Sequence, residues 1–174
     1  MEFFAWIEQT AIGVWVREAP TIWAFPFVLI LHTVGLAIVG GGAVIVNAYA
    51  FVWPERWKPA QFEPWFRFAW AGFAINLISG IMLLAAYPAK ALTNPVFYAK
   101  LACVAGAMLQ MQWLRAHVPE PRSATGDVSR PANTLLRRSA FAAFVLWGGA
   151  VILGRFLAYT YRYLMSADML FGSG

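Results

Sequence analysis

No acidic residue interrupts any of the four long apolar stretches of this 174-residue sequence, and charged residues of both signs make up only 12% of it. A water-soluble domain carries roughly twice that fraction, so a soluble enzyme or binding domain is excluded and an integral membrane protein is expected. The lack of carboxylates within the apolar stretches also weighs against a transporter that moves protons through Asp or Glu. Cysteine occurs once, at Cys103 inside an apolar stretch, so no intramolecular disulfide can form. Histidine occurs twice, as His32 and His117. These fall near opposite faces of the membrane layer, which excludes a haem ligated by two histidines of one chain. Neither HExxH nor GxSxG is present, and the GGG run at residues 40–42 follows no strand, so it serves helix packing rather than phosphate binding. No catalytic constellation is visible in the chain on its own. The formal charge of +5 resides mainly in the connections between apolar runs. There it sets membrane orientation and does not point to nucleic acid.

What is present is apolar: 61% of the residues are hydrophobic. Four stretches, at about residues 21–52, 65–87, 95–117 and 134–163, are long enough to cross roughly 30 Å of hydrocarbon as helices. Pro26 suits the first turn of the first stretch, and Asn94 followed by Pro95 makes an N-cap and first helical position for the third. Residues 118–132, with their prolines, glycine and serines, read as a flexible loop. Residues 1–17 carry no basic leader and no small-x-small cleavage signal. Phe4, Ile7, Ala11 and Val14 share one helical face there, so an amphipathic helix lying at the interface is expected. The fold class is all-α: an antiparallel four-helix transmembrane bundle with an N-terminal amphipathic interfacial helix, forming a single domain over residues 1–174.

Orientation follows from the basic residues. Arg56, Lys58, Arg67, Arg115, Arg122, Arg130, Arg137 and Arg138 flank one side of the layer, against Arg17, Lys90, Lys100 and Arg162 on the other. The positive-inside rule places the first set in the cytoplasm and both termini outside a bacterial inner membrane, with the chain multi-pass. Most of the tryptophans and tyrosines near the stretch ends, among them Trp23, Trp53, Trp57, Trp65 and Trp70, read as anchoring belts.

Ionisable residues at membrane depth usually face the bundle interior and serve function. Arg155 lies eight residues before Tyr163, about 12 Å inside the outer edge, and His32 lies six residues after Pro26, about 9–15 Å from the same edge. Met82, Lys100 and Cys103 fall in the same layer, with Asn76 nearer the midplane. On helix one, His32, Gly35, Val39, Ala43 and Asn47 share a face. Gly72, Asn76, Ser79 or Gly80, and Leu83 share one on helix two. Gly148, Val151, Arg155 and Tyr159 share one on helix four. Small residues on such faces let helices approach closely. The ligand-binding candidates are His32, Asn76, Lys100, Arg155 and Tyr159. Read alone, Lys100 snorkels to the surface, Met82 and Cys103 fill space, and His32 holds neighbouring helices together.

The segments WVREAPTIWAFPFVLILHTVGLAIVGG, WFRFAWAGFAINLISGIMLLAAYP, NPVFYAKL and WGGAVILGRFLAY together resemble a family of short bacterial four-helix integral membrane proteins, a domain of unknown function. The resemblance runs from about Val14 to Tyr159. Its most specific marks are His32, then Asn94 and Pro95 with Lys100, and then Gly154 with Arg155. It implies the fold and a shared His/Lys/Arg layer, and it implies no activity.

Three functional readings follow. A redox- or quinone-linked electron-transport subunit would bind a quinone headgroup or another polar ligand with His32, Lys100, Arg155 and Tyr159, since such donors suit carbonyl or anionic oxygens in a low dielectric. A non-catalytic accessory or assembly subunit would use the layer only to fix helix register. A haem or copper protein would use His32 with Met82, Cys103 or a ligand from another chain, the soft ligands favouring Cu(I). The expected partners are the lipid bilayer and either another membrane protein or a second copy of the chain.

Overall fold

The computed structural model describes residues 2–117 and 130–171; side chains are described for 4–116, 133–157 and 159. Residues 118–129, most of the expected loop, and the side chain of His117 lie outside the described set. Every regular element among the described residues is helical. Two short helices, α1 (Glu2–Glu8) and α2 (Ala11–Glu18), open the chain. The first long helix comprises α3 (Phe25–Leu36), a π-helical turn at Ala37–Gly41, and α4 (Gly42–Val52). Two 3₁₀ turns lead to α5 (Glu63–Ala86), followed by short α6 (Pro88–Leu92), α7 (Pro95–His117) and α8 (Arg130–Phe171).

Local chemistry explains most boundaries. The single helix expected over residues 1–17 is broken at Thr10. Its hydroxyl donates to the Ile7 carbonyl at 2.7 Å and accepts from the Gly13 N–H at 3.3 Å. One side chain thus closes α1 and caps α2, as threonine does when it competes with the helical ladder. Pro26 and Pro64 sit in the first turns of α3 and α5, where a missing N–H costs nothing. Asn94 accepts from the Val96 N–H at 3.0 Å and starts α7 at Pro95, as expected. Helix α8 begins at Arg130, within the stretch read as loop, and continues to Phe171, past the expected end at Tyr163. No proline follows Pro131 and no glycine occurs between Gly154 and Gly172 to stop it.

Three helical stretches, Phe25–Val52, Pro59–Ala86 and Asn133–Leu157, are long and apolar enough to cross a membrane. The exterior of these helices is apolar, with Ile45, Phe68, Ile78 and Phe141 all strongly exposed, an arrangement compatible with an integral membrane protein. Sequence reasoning expects four such stretches. Helix α7, with 23 residues, has the length, but Lys100, Gln110 and Gln112 dilute its apolar character.

Close backbone packing joins α3 to α5, α4 to α8 and α7 to α8, and seats α2 on α5. A central core draws Val39 and Ala43, Phe66 and Ala69, Ala107, Met108 and Met111, and Ala143 and Trp147 from all four long helices. A second cluster at one end contains Val46, Ala50, Trp57, Leu114, Leu136 and Ala140. Trp57, expected in an aromatic belt, is buried there and stacks on Phe62 at 5.0 Å. At the opposite end Val16 of α2 meets Val28 and Ala86, and Arg17 donates to the Ala86 carbonyl at 3.4 Å. The N-terminal helices are therefore fastened to the end of α5.

Candidate functional site

The site begins where α3 crosses α5. A β-carbon on Gly35 would lie 2.7 Å from the Asn76 nitrogen and 2.8 Å from the Gly72 carbonyl oxygen, so the two backbones touch. This close approach lets side chains reach across. Asn76 Nδ2 donates to the His32 carbonyl at 2.7 Å. His32 Nδ1 lies 3.0 Å from the Asn76 carbonyl and 3.2 Å from Ser79 Oγ. A carbonyl oxygen only accepts, so Nδ1 carries a proton and donates. The Ser79 hydroxyl donates back along its own helix, 2.6 Å from the Ile75 carbonyl.

Pinning Nδ1 fixes the imidazole. In its neutral form the other nitrogen, Nε2, is then a bare acceptor. Among the described residues Nε2 has no hydrogen-bond partner. The ring lies over Gly80, where an added β-carbon would stand 3.2 Å from Cε1.

Lys100 enters the same layer from α7. It turns inward rather than snorkelling, and its stem crosses Gly154 of α8. A β-carbon there would lie 3.7 Å from Cε and 3.9 Å from Nζ. Lys100 is half-buried, and among the described residues it has neither an ion pair nor a hydrogen-bond partner.

The structure therefore brings together His32 and Asn76, seats Lys100 against Gly154 of α8, and leaves two expected residues outside. Arg155 is exposed, not interior, and Tyr159 is 62% exposed. The face assigned to α8 from the sequence is its outer face: Val151 is exposed, and nothing comes within 4 Å of a β-carbon at Gly148. The inward face carries Ala143, Trp147, Ala150 and Gly154. One residue further along a helix is a rotation of about 100°, which carries Arg155 off the line that Gly154 occupies. Met82 sits beside the Val16, Val28 and Ala86 cluster, and Cys103 lies against Gly149. Among the described residues no three His, Cys, Asp or Glu side chains gather as a metal site.

Sequence reasoning also passed over a second polar node nearer the other end. Gln110 Nε2 donates to Asn47 Oδ1 at 3.0 Å and to Ser139 Oγ at 2.9 Å, while Asn47 donates to the Ala43 carbonyl. The signal was available: Gln110 is a polar residue well inside the third apolar stretch, two positions before Gln112. Comparison with family models, with curated proteins and with solved structures gives no match to this chain.

Proposed function

We propose that this chain is a multi-pass protein of a bacterial inner membrane that holds the headgroup of a quinone-type ligand between His32 and Lys100. The four long helices form an antiparallel transmembrane bundle, α7 included, with both termini outside and α1 and α2 at the interface. The asymmetry of Lys and Arg supports that orientation. The four-helix family resemblance supports the same fold.

One observation carries the ligand reading: among the described residues His32 Nε2 and the Lys100 ammonium, two polar groups of opposite character at similar depth along apolar helices, each lack a hydrogen-bond partner. His32 Nε2 can accept a proton or a hydrogen bond, and the Lys100 ammonium can only donate. A quinone carbonyl accepts from lysine, and the hydroxyl of the reduced ring donates to imidazole. No carboxylate neutralises Lys100 among the described residues, so an acceptor oxygen from outside the chain is well matched to it. Extraction of the purified protein should release a quinone in stoichiometric amount from the wild type and far less from Lys100→Met. An empty extract from a wild type purified in native lipid would remove the reading.

A second reading rests on the reciprocal bonds between His32 and Asn76. These fix the register of α3 on α5 whether or not a ligand binds, which is what an accessory subunit of a larger membrane complex requires. In that case His32→Ala lowers stability and no quinone is recovered from any variant.

A further inference from the structure

Helix α8 carries two adjacent arginines that no group of the described chain neutralises. Arg137 and Arg138 lie inside the apolar span Asn133–Leu157, four and five residues from its start. The span has 25 residues, about 38 Å of helix against roughly 30 Å of hydrocarbon. Its first residues therefore sit among headgroups, and the two arginines sit where headgroups meet acyl chains. No acidic residue occurs between Arg130 and Leu157. Both arginines are exposed, and among the described residues neither side chain has an ion pair or a hydrogen bond. A cation at that boundary favours an anionic partner over bare lipid.

The helix face that continues from these arginines is apolar and uncovered. Steps of three and four residues from Arg138 lead to Phe141, Val145, Gly148 and Ile152, which therefore share one face, and Arg137 stands four residues before Phe141. Phe141, Val145 and Ile152 are each more than half exposed, and nothing comes within 4 Å of a β-carbon at Gly148. The opposite face, with Leu136, Ala140, Ala143 and Trp147, is the buried one. From Phe141 to Ile152 the stripe runs about 16 Å, close to the hydrocarbon depth of one leaflet. Gly148 makes a notch in it between Val145 and Ile152.

We infer that the outer face of α8 binds a glycerophospholipid of net negative charge, its phosphate held by Arg137 and Arg138 and one acyl chain lying along Phe141, Val145, Gly148 and Ile152. Guanidinium forks match phosphate oxygens two at a time. A zwitterionic headgroup brings its own ammonium up to the arginines, so the anionic lipid is preferred. Arg56 and Lys58 supply the contrast. They flank Trp57, which shares a buried cluster with Leu136, so they stand at the same end of the bundle. They lie, however, in the connection between α4 and α5, with no membrane-spanning stripe on their own segment. The inference rests on the membrane reading above and is independent of any ligand at His32 and Lys100.

The test titrates the full chain, purified in detergent, with dioleoyl phosphatidylglycerol, dioleoyl phosphatidylcholine and glycerol phosphate. Bound species are counted by native mass spectrometry, with melting temperatures measured beside them. Phosphatidylglycerol should bind about 10-fold more tightly than phosphatidylcholine. The double variant Arg137→Gln, Arg138→Gln should lose about 10-fold or more of that affinity, as the loss of charged hydrogen bonds predicts. The charge-matched variant Arg56→Gln, Lys58→Gln should bind as the wild type does. Equal affinity for the two lipids would overturn the site, and so would equal losses in the two double variants, which would show that only the total charge of that end matters. Glycerol phosphate bound as tightly as the lipid would overturn the acyl-chain contact in favour of a free phosphate site. If Arg137→Gln, Arg138→Gln melts lower, the variant Arg137→Lys, Arg138→Lys keeps the charge and loses the forks; wild-type affinity there would overturn the arginine site. A chain recovered from cells without detergent would remove the membrane reading itself.

Discussion

Asn76 and His32 exchange hydrogen bonds across two helices: Asn76 Nδ2 reaches the His32 carbonyl at 2.7 Å, and His32 Nδ1 reaches the Asn76 carbonyl at 3.0 Å. Each residue therefore satisfies the other's backbone while its own side chain is fixed. Interhelical hydrogen bonds in membranes contribute about 0.6–2 kcal/mol each. Asn76→Leu removes one bond and loosens the ring that makes the other. Its midpoint in denaturant titration should fall by the equivalent of about 1–2 kcal/mol. An unchanged midpoint would mean that the two helices are held by packing alone.

The crossing at Gly35 should be less forgiving than the exposed glycines. A side chain at position 35 meets backbone atoms of Asn76 and Gly72, which cannot swing aside. Gly35→Val is expected to destabilise by about 1–3 kcal/mol or to prevent assembly, as overpacking does. Gly148→Ala, with nothing within 4 Å of the new carbon, should leave thermal stability unchanged. Equal effects from the two substitutions would contradict the crossing.

The length of the side chain at position 154 should act on Lys100 and not on the fold. An added β-carbon makes only ordinary contact with the Lys100 stem, so Gly154→Ala should bind quinone as the wild type does. Gly154→Leu should push the stem aside and weaken binding while the melting temperature stays close to that of Gly154→Ala. A parallel loss of stability and binding would make position 154 a packing site only.

Much of this was legible in the sequence. The Asn94–Pro95 start of α7 is a local signal and needs no tertiary context. The face of helix one that runs from His32 through Gly35, Val39 and Ala43 to Asn47 was readable because small and polar residues recur at helical spacing. Helix α8 defeated the same reasoning. A helix that is apolar all round gives little contrast between lipid and core, and its inward line includes bulky Trp147, while Gly148 beside it faces out. That choice of line decided the fate of Arg155. The inward turn of Lys100 was hidden for another reason: snorkelling is the default for a lysine near a helix end, and only the open surface of Gly154 on a distant part of the chain permits the alternative.

Glu63 offers a contrast, since its ion pair lies at the surface. It receives two hydrogen bonds from Arg115, from Nε at 3.0 Å and Nη2 at 2.5 Å, and lies near Arg67. Both partners are partly exposed, so Glu63→Gln should cost only about 0.2–1 kcal/mol, an effect that shrinks at high salt. A larger loss that persists in high salt would show that this pair also anchors the end of α5.

The orientation proposed above rests on charge and is independent of the site. Reporter fusions at Gly126 and at the C-terminus should place the first in the cytoplasm and the second outside. A periplasmic signal at Gly126 would invert the bundle and move the layer of His32 and Lys100 to the inner leaflet.

Binding of decylbenzoquinone to the wild type and to Lys100→Met in nanodiscs, measured as equilibrium dissociation constants beside thermal stability, bears most directly on the site itself. A hydrogen bond from a charged donor contributes about 1.5–3 kcal/mol, so the substitution should weaken binding by roughly 10- to 100-fold with the melting temperature held or raised. Equal dissociation constants for the two proteins, or no measurable binding to the wild type, would contradict a headgroup site at His32 and Lys100.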